Sequence, residues 1–355
     1  MDFASVRILR LAVGTATSLW FSQAVNWDMS FIAPVITMFL LALPFPAPKL
    51  KAGIAFVLTL TLSLLAGMLL LPPLLHQPLV GLLLLILALY WSFYYTAKGG
   101  SAVLGTFATM GIAVSAAVGT VSIDAVPVII SGLSFGALVG VLFVWVAHAV
   151  LPDSMADVPD APAPAKPAEK PEPDLTAARW SAFRSTMIVL PIALWFLFSS
   201  ASAAYVPVMI KVASMGQQAT NDATRLAGRS LAMSTIIGGA GAIIGWQILS
   251  LTPTLTVYTL IIALSALLMG PKIFQGRGMH SQAATWSYGF LTMIVILAPA
   301  VMDSAGGGPA GIKFWDRLVM FGGTTLYAVV TVDVFDAIVA SRRRRKSSNT
   351  VHAEK

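Results

Sequence analysis

The sequence predicts an all-α, polytopic membrane protein of about twelve transmembrane helices in two six-helix repeats. Three observations predict it. Of 355 residues, 57% are hydrophobic and only 10% charged, with a mean hydropathy of +0.83, a balance foreign to water-soluble domains. Apolar segments of roughly 15 to 25 residues recur between polar breaks, and a helix needs about 20 residues to cross the hydrocarbon core. The segments also form two similar sets on either side of a Pro/Ala/Glu/Asp/Lys stretch from about Leu151 to Pro173. Leu19-Trp20-Phe21 in the first set recurs as Leu194-Trp195-Phe196 in the second, each following an arginine (Arg10, Arg184) by about ten residues.

In the first set the segments run near Val6 to Ala24, Met29 to Leu43, Ala52 to Leu75, Leu79 to Thr96, Ala102 to Val121 and Ala125 to Leu151. In the second they run near Phe183 to Ala201, Ala204 to Met215, Ser230 to Leu251, Thr254 to Met269, Ala283 to Val301 and Leu318 to Ala340. The domain plan is a first membrane repeat over 1–151, a charged Pro/Ala-rich linker over 152–180, a second repeat over 181–341 and a basic tail over 342–355. The linker run from Pro159 to Ala165 has no apolar face to bury and reads as an extended, disordered tether. It joins two bundles that enter the membrane in the same sense, so the repeats are expected to be parallel, related by an axis along the membrane normal. The second and eighth segments are short and carry Pro34 and Pro207. Short, Pro-containing segments at matching places in two halves point to a transporter's site.

Orientation follows from the cations. With a cytoplasmic amino terminus, the cytoplasmic loops hold Lys49, Lys51, Lys98, Lys166, Lys170, Arg179, Arg225, Arg229, Lys272 and Arg277, and the tail holds Arg342 to Lys346. Only Lys313 and Arg317 fall on the far side. This positive-inside bias puts both termini in the cytoplasm, and it assigns the net charge of +7 to topology rather than to nucleic-acid binding. The first segment has the basic flank of a signal peptide, yet its loss would remove the counterpart of the Leu194-Trp195-Phe196 helix, so it is read as retained.

Glycine spacing speaks to packing. Gly132, Gly136 and Gly140 fall four apart, as do Gly111, Ser115 and Gly119, and Gly241 and Gly245, which lets helix backbones approach closely in lipid. The run Gly238-Gly239-Ala240-Gly241-Ala242 lies in an apolar helix with no strand before it, and is read as packing rather than a nucleotide loop. There is no Walker-type Gly-Lys-Ser or Gly-Lys-Thr, so active transport would draw on an ion gradient or a partner. The absence of cysteine excludes disulfides and thiolate chemistry. His76, His148, His280 and His352 are too scattered to suggest a metal site, and no nucleophile–base pair marks the spans. The sequence is therefore read as a non-enzyme without cofactor or metal.

Several residues together carry a family resemblance. Arg10 opening the first helix, the Trp27-Asp28 turn, Pro34, the basic turn Lys49-Leu50-Lys51-Ala52-Gly53 and the Gly-rich third helix resemble the membrane repeat of the fusaric-acid-resistance and aromatic-acid-exporter superfamily (FUSC-like). In the second set Arg184, Pro207 and Arg225-Leu226-Ala227-Gly228-Arg229 are similar to that superfamily's Arg-x-x-Gly approach to its third helix. The chain lacks a large cytoplasmic domain between the halves and so looks like a compact branch. The resemblance implies a bacterial inner-membrane permease that exports organic, often aromatic, anions together with a periplasmic adaptor of the membrane-fusion type.

Charged residues inside spans are the site candidates, because each costs about 2.5–3.5 kcal/mol at mid-helix and has to face protein or water. Lys211 stands four residues after Pro207 where the first repeat has Met38 four after Pro34; the alternative is that it snorkels to the cytoplasmic surface. Counted from the expected cytoplasmic helix ends, Lys211 lies roughly 9 Å deep, with Asp333 and Asp336 roughly 12 and 7.5 Å deep on one helical face. His148 sits at a comparable depth. Carboxylates crowded near a Lys or His suit proton coupling, whereas a static pairing of Asp336 with the arginine tail is the plainer reading. Gln218, Asp222, Arg225 and Arg229 read as a cytoplasmic vestibule whose arginines orient a carboxylate, or as an ordinary positive-inside loop. The function expected is secondary efflux of small organic anions across the lipid bilayer. A passive anion channel and a non-transporting accessory subunit stay open, as does homo-oligomerisation.

Overall fold

The computed structural model describes residues 2–27, 29–152, 174–198, 226–305 and 310–353. In chain order the helices are α1 (Phe3–Val25), α2 (Ile32–Leu41), α3 (Leu50–Leu69), α4 (Leu71–His76), α5 (Pro78–Ala97), α6 (Ala102–Val121), α7 (Ala125–Val150), α8 (Leu175–Phe198), α9 (Leu226–Leu251), α10 (Leu255–Ile273), α11 (Ala283–Ala305) and α12 (Ala310–Ala353). A two-stranded hairpin, β1 (Phe274–Gln275) and β2 (Gly278–Met279), separates α10 from α11 and departs from the all-helical expectation. Gly276 supplies the positive φ of 54° that its turn requires.

Local chemistry sets the helix ends. Asn26 takes the left-handed conformation after α1 and returns its N–H to Ser22 O, closing the helix. Ser101 and Thr254 cap α6 and α10 by accepting from Leu104 N–H and Val257 N–H. Asp174 accepts from Thr176 N–H at 2.9 Å and Ala177 N–H at 3.2 Å, so α8 starts at Leu175. That corrects the expected linker, whose last residues are helical. Pro72 and Pro73 sit in the first turn of α4, where their missing N–H groups cost nothing, and α4 prolongs α3.

Among the described residues, seven helical stretches are long and apolar enough to cross a membrane: α3 with α4, then α5, α6, α7, α10, α11 and, from Ala232, α9. The chain is a multi-pass helical membrane protein. The expected tally of twelve spans is not reached among the described residues. At ten residues α2 extends only about 15 Å, and the eighth expected segment lies outside them. The long helices α1, α8 and α12 each bury an arginine: Arg10, Arg184 and Arg317. Lys313 and Arg317, expected in a loop, belong to the first turns of α12, and that helix continues through the expected tail to Ala353.

Close backbone approach builds the bundle. A Cβ at Gly140 would stand 2.9 Å from Ile36 Cβ and 3.0 Å from Ala33 O, and one at Gly136 2.9 Å from Ile32 Cβ, so α2 lies in the glycine groove of α7. Thr37 of α2 donates to Ala33 O, and also reaches Ser18 Oγ of α1 at 3.0 Å and Gly140 O at 3.1 Å, tying three helices at a fully buried point. Helices α3 and α6 run parallel in contact, with Gly111 against Ser63 and Gly67 against Ser115. Helices α9 and α11 do the same, with Gly241 against Met293 and Gly245 against Leu297. The most enclosed of the seven spans are α6 and α11. Helix α1 packs on α10, with Ile8 against Gly270, and α8 packs on α5.

These contacts fix two ends. One end gathers the starts of α1, α3, α6, α8 and α9 and the finishes of α5, α7 and α10; it carries Arg7, Arg10, Lys49, Lys51, Lys98, Arg179, Arg184, Lys272 and Arg277. The opposite end, where α1, α9 and α11 finish and α10 and α12 begin, carries Lys313 and Arg317.

Candidate functional site

Half of the eight residues singled out from the sequence, Lys211, Gln218, Asp222 and Arg225, lie outside the described residues. Arg229 belongs to the first turn of α9, and Asp333 and Asp336 are three apart along α12. His148 is placed in the last turn of α7, half-buried, with Nδ1 2.8 Å from Val144 O. A carbonyl only accepts, so Nδ1 carries the proton. At the same end of α7, Arg10, only 4% exposed, donates through Nε (3.0 Å) and Nη2 (2.6 Å) to the Leu151 carbonyl. The guanidinium thus closes the carboxyl-terminal end of α7, where backbone carbonyls lack helical partners and a positive charge is favoured. Arg10 is a fastening between α1 and α7 at the cation-rich end.

The opposite end holds a cavity of about 570 Å³. Its walls come from four helices: Gln23 from α1, Trp246 and Leu249 from α9, Tyr258 from α10, and Val301 and Ser304 from α11. Pro253, Thr254 and Leu255 close it where α10 begins. The size lies within the roughly 300–1,000 Å³ typical of small-molecule sites, and the lining matches their pattern of apolar surface with a few polar groups. Exposed Ser250 lies on its rim, and Gln23 reaches Ser30 Oγ at 3.3 Å. Tyr258 is 1% exposed, and its hydroxyl has no hydrogen-bond partner among the described residues.

An ion cluster adjoins the cavity. Asp303, next in sequence to Ser304, is 3.0 Å from Lys313 Nζ and 2.7 Å from Arg317 Nη2. Arg317 is 3% exposed and Lys313 half-exposed. Between the two cations stands Phe314, whose ring stacks on Trp246 at 5.1 Å and 11°. The Asp303 carboxylate thus bridges two cations at the start of α12.

Sequence reasoning missed this site. Gln23, Trp246 and Tyr258 lie near helix ends, where polar-tipped and aromatic residues ordinarily anchor to the membrane interface. Only Gln23, a polar amide near the end of an apolar helix, offered a signal.

The structure therefore defines a multi-pass helical membrane protein with a cavity enclosed by α1 on one side and α9 to α11 on the other. Residues 7–147 match the family described as "Protein of unknown function (DUF2955)". The match begins in α1 and ends in the last turn of α7, so it covers the first set of helices and stops before the second. Neither a curated protein nor a solved structure matches the chain.

Proposed function

We propose that the chain is a bacterial inner-membrane secondary permease that exports small organic anions and is built from two six-helix repeats. The observation that carries this reading is the cavity at the junction of α1 with α9, α10 and α11, because duplicated transporters place their sites between repeats. Packing supports the duplication. In each set the third and fifth segments run parallel in contact, as α3 with α6 and α9 with α11, and the fourth lies beside the fifth. The first helix of each set packs on the fourth segment of the other, α1 on α10 and α8 on α5, and each buries an arginine near its start. The kinship with FUSC-like exporters and the periplasmic adaptor belong to the same proposal.

In this reading the cation-rich end is cytoplasmic and the cavity opens outward. Because the chain lacks cysteine, single cysteines report topology cleanly. A cysteine at Lys98 or Lys346 is expected to label only from the cytoplasm, and one at Ser122 or Thr252 only from the periplasm. Labelling of position 98 from outside would overturn the orientation.

Coupling is assigned to Lys211, Asp333 and Asp336, with Gln218, Asp222, Arg225, Arg229 and His148 around the cytoplasmic approach. Cells making the protein should accumulate less of a toxic aromatic acid while the proton gradient stands. A protonophore should erase the difference, and Lys211→Met at normal protein levels should abolish export. Gradient-independent anion current in vesicles would replace the permease with a channel. Silence in both assays would leave an accessory subunit.

A further inference from the structure

We propose that Arg342, Arg343, Arg344, Arg345 and Lys346 of α12 form a collar that binds the phosphates of anionic phospholipid headgroups where the helix leaves the bilayer. The proposal rests on α12 and its membrane setting, independently of the permease reading.

Length supplies the first argument. Helix α12 has 44 residues and so runs for about 66 Å, more than twice the roughly 30 Å of a hydrocarbon core. Its depth is set at the far end, where Arg317 meets Asp303 of α11 at 2.7 Å. Asp303 lies about 30 Å along α11 from Ala283, and α12 returns antiparallel, so Ala337, the same distance beyond Arg317, is level with the start of α11 at the cation-rich end. Arg342 to Lys346 follow about 7 to 14 Å further on. That is at and just past the headgroup band, a reach that long basic side chains cover.

Register supplies the second. The helix continues unbroken through the run, and successive residues turn by about 100°, so the positions of Arg342 to Arg345 fall on all sides of α12 within little more than one turn. A helix that packs on protein keeps an apolar stripe, and this turn has none. Asp336, the last carboxylate before the run, stands six residues ahead of Arg342, past the three- and four-residue spacings at which side chains pair along a helix. Positive charge on every side of one turn suits a surrounding layer of negative headgroups, and basic clusters just outside a membrane helix are held by anionic lipid. Anchored there, α12 keeps its depth and rotation, and with them the seat of Arg317 against Asp303 at the other end.

The test places the intact chain in phosphatidylcholine vesicles with trace spin-labelled phosphatidylglycerol or phosphatidylcholine, and reads the share of each label immobilised on the protein. Phosphatidylglycerol should be preferred, and high salt should weaken the preference. The variant Arg342→Gln, Arg343→Gln, Arg344→Gln, Arg345→Gln, Lys346→Gln keeps good helix formers and should lose more than half of that preference. A control, Lys49→Gln, Lys51→Gln, Lys98→Gln, Lys272→Gln, Arg277→Gln, removes as many cations from the same end and should keep most of it. A second measurement leaves the collar untouched. Because the chain lacks cysteine, a spin label on Ser347→Cys reports one site, and its motion should slow when phosphatidylglycerol replaces phosphatidylcholine. No preference in the unaltered chain, equal losses in the two variants, or a label at position 347 indifferent to the lipid would overturn the collar. Displacement of the labelled lipid by inorganic phosphate at matched ionic strength would overturn it too, by making the run a site for soluble anions.

Discussion

Gly140→Leu is expected to destabilise the protein by about 3 kcal/mol or more, because the new side chain has nowhere to go. Its Cβ alone would lie 2.9 Å from Ile36 Cβ and 3.0 Å from Ala33 O, and the latter is backbone that cannot swing aside. Separation of α7 from α2 also pulls the Gly140 carbonyl away from the Thr37 hydroxyl, now 3.1 Å from it, and opens the buried point where α1, α2 and α7 meet. Gly322→Leu in α12 is the control: a Cβ there meets nothing within 4 Å, and leucine is the better helix former by roughly 1 kcal/mol. Thermal unfolding in detergent should therefore shift downward for Gly140→Leu and stay level or rise for Gly322→Leu. Equal shifts would mean that the α2–α7 groove carries no special weight.

Asp303→Leu is expected to cost about 3–5 kcal/mol, the usual penalty for removing one member of a buried ion pair. Arg317 is the reason, since its side chain is 3% exposed and lies 2.7 Å from Asp303. Lys313, 43% exposed, contributes little to that figure because water screens it. Pairing the change with Arg317→Met removes both charges, and the double variant should recover more than half of the loss. Denaturant titration of the two single variants and the double variant reads this directly. A double variant no better than Asp303→Leu alone would place the role of Arg317 elsewhere.

The spans were legible where apolar runs end abruptly. The expected segment from Ala102 to Val121 is α6, and Ala125 to Leu151 differs from α7 by one residue, because Gly-Gly-Ser and Ser-Ile-Asp interrupt the runs. Legibility failed where charge sits inside a helix. Lys313 and Arg317 read as loop residues by hydropathy, yet Asp303 neutralises part of their charge and lets α12 begin at Ala310. The start of α8 was hidden for a related reason: Arg179 falls among residues 175–180, next to the Pro-rich stretch, while the Asp174 cap starts their helix. Glycine spacing foretold close packing, and Gly136 and Gly140 meet α2 through it. Which helix would fill the groove was not written in α7 itself. The cavity was illegible because its walls come from residues as far apart in sequence as Gln23 and Ser304, each unremarkable in its own helix.

The seating of Ile8 against Gly270 sets a clock on biogenesis. These residues are about 260 positions apart, and ribosomes add roughly 5–20 residues per second, so α1 waits roughly 13 to 50 s for α10 to be made. Throughout that interval one flank of the earliest-made helix, with Arg10 two residues from the contact, has no protein to cover it on that side. Lipid or the insertion machinery has to stand in until translation reaches residue 273. A chain halted before that point leaves its first-made segment unfinished, and quality-control proteases would meet an open flank on α1 rather than a completed amino-terminal half.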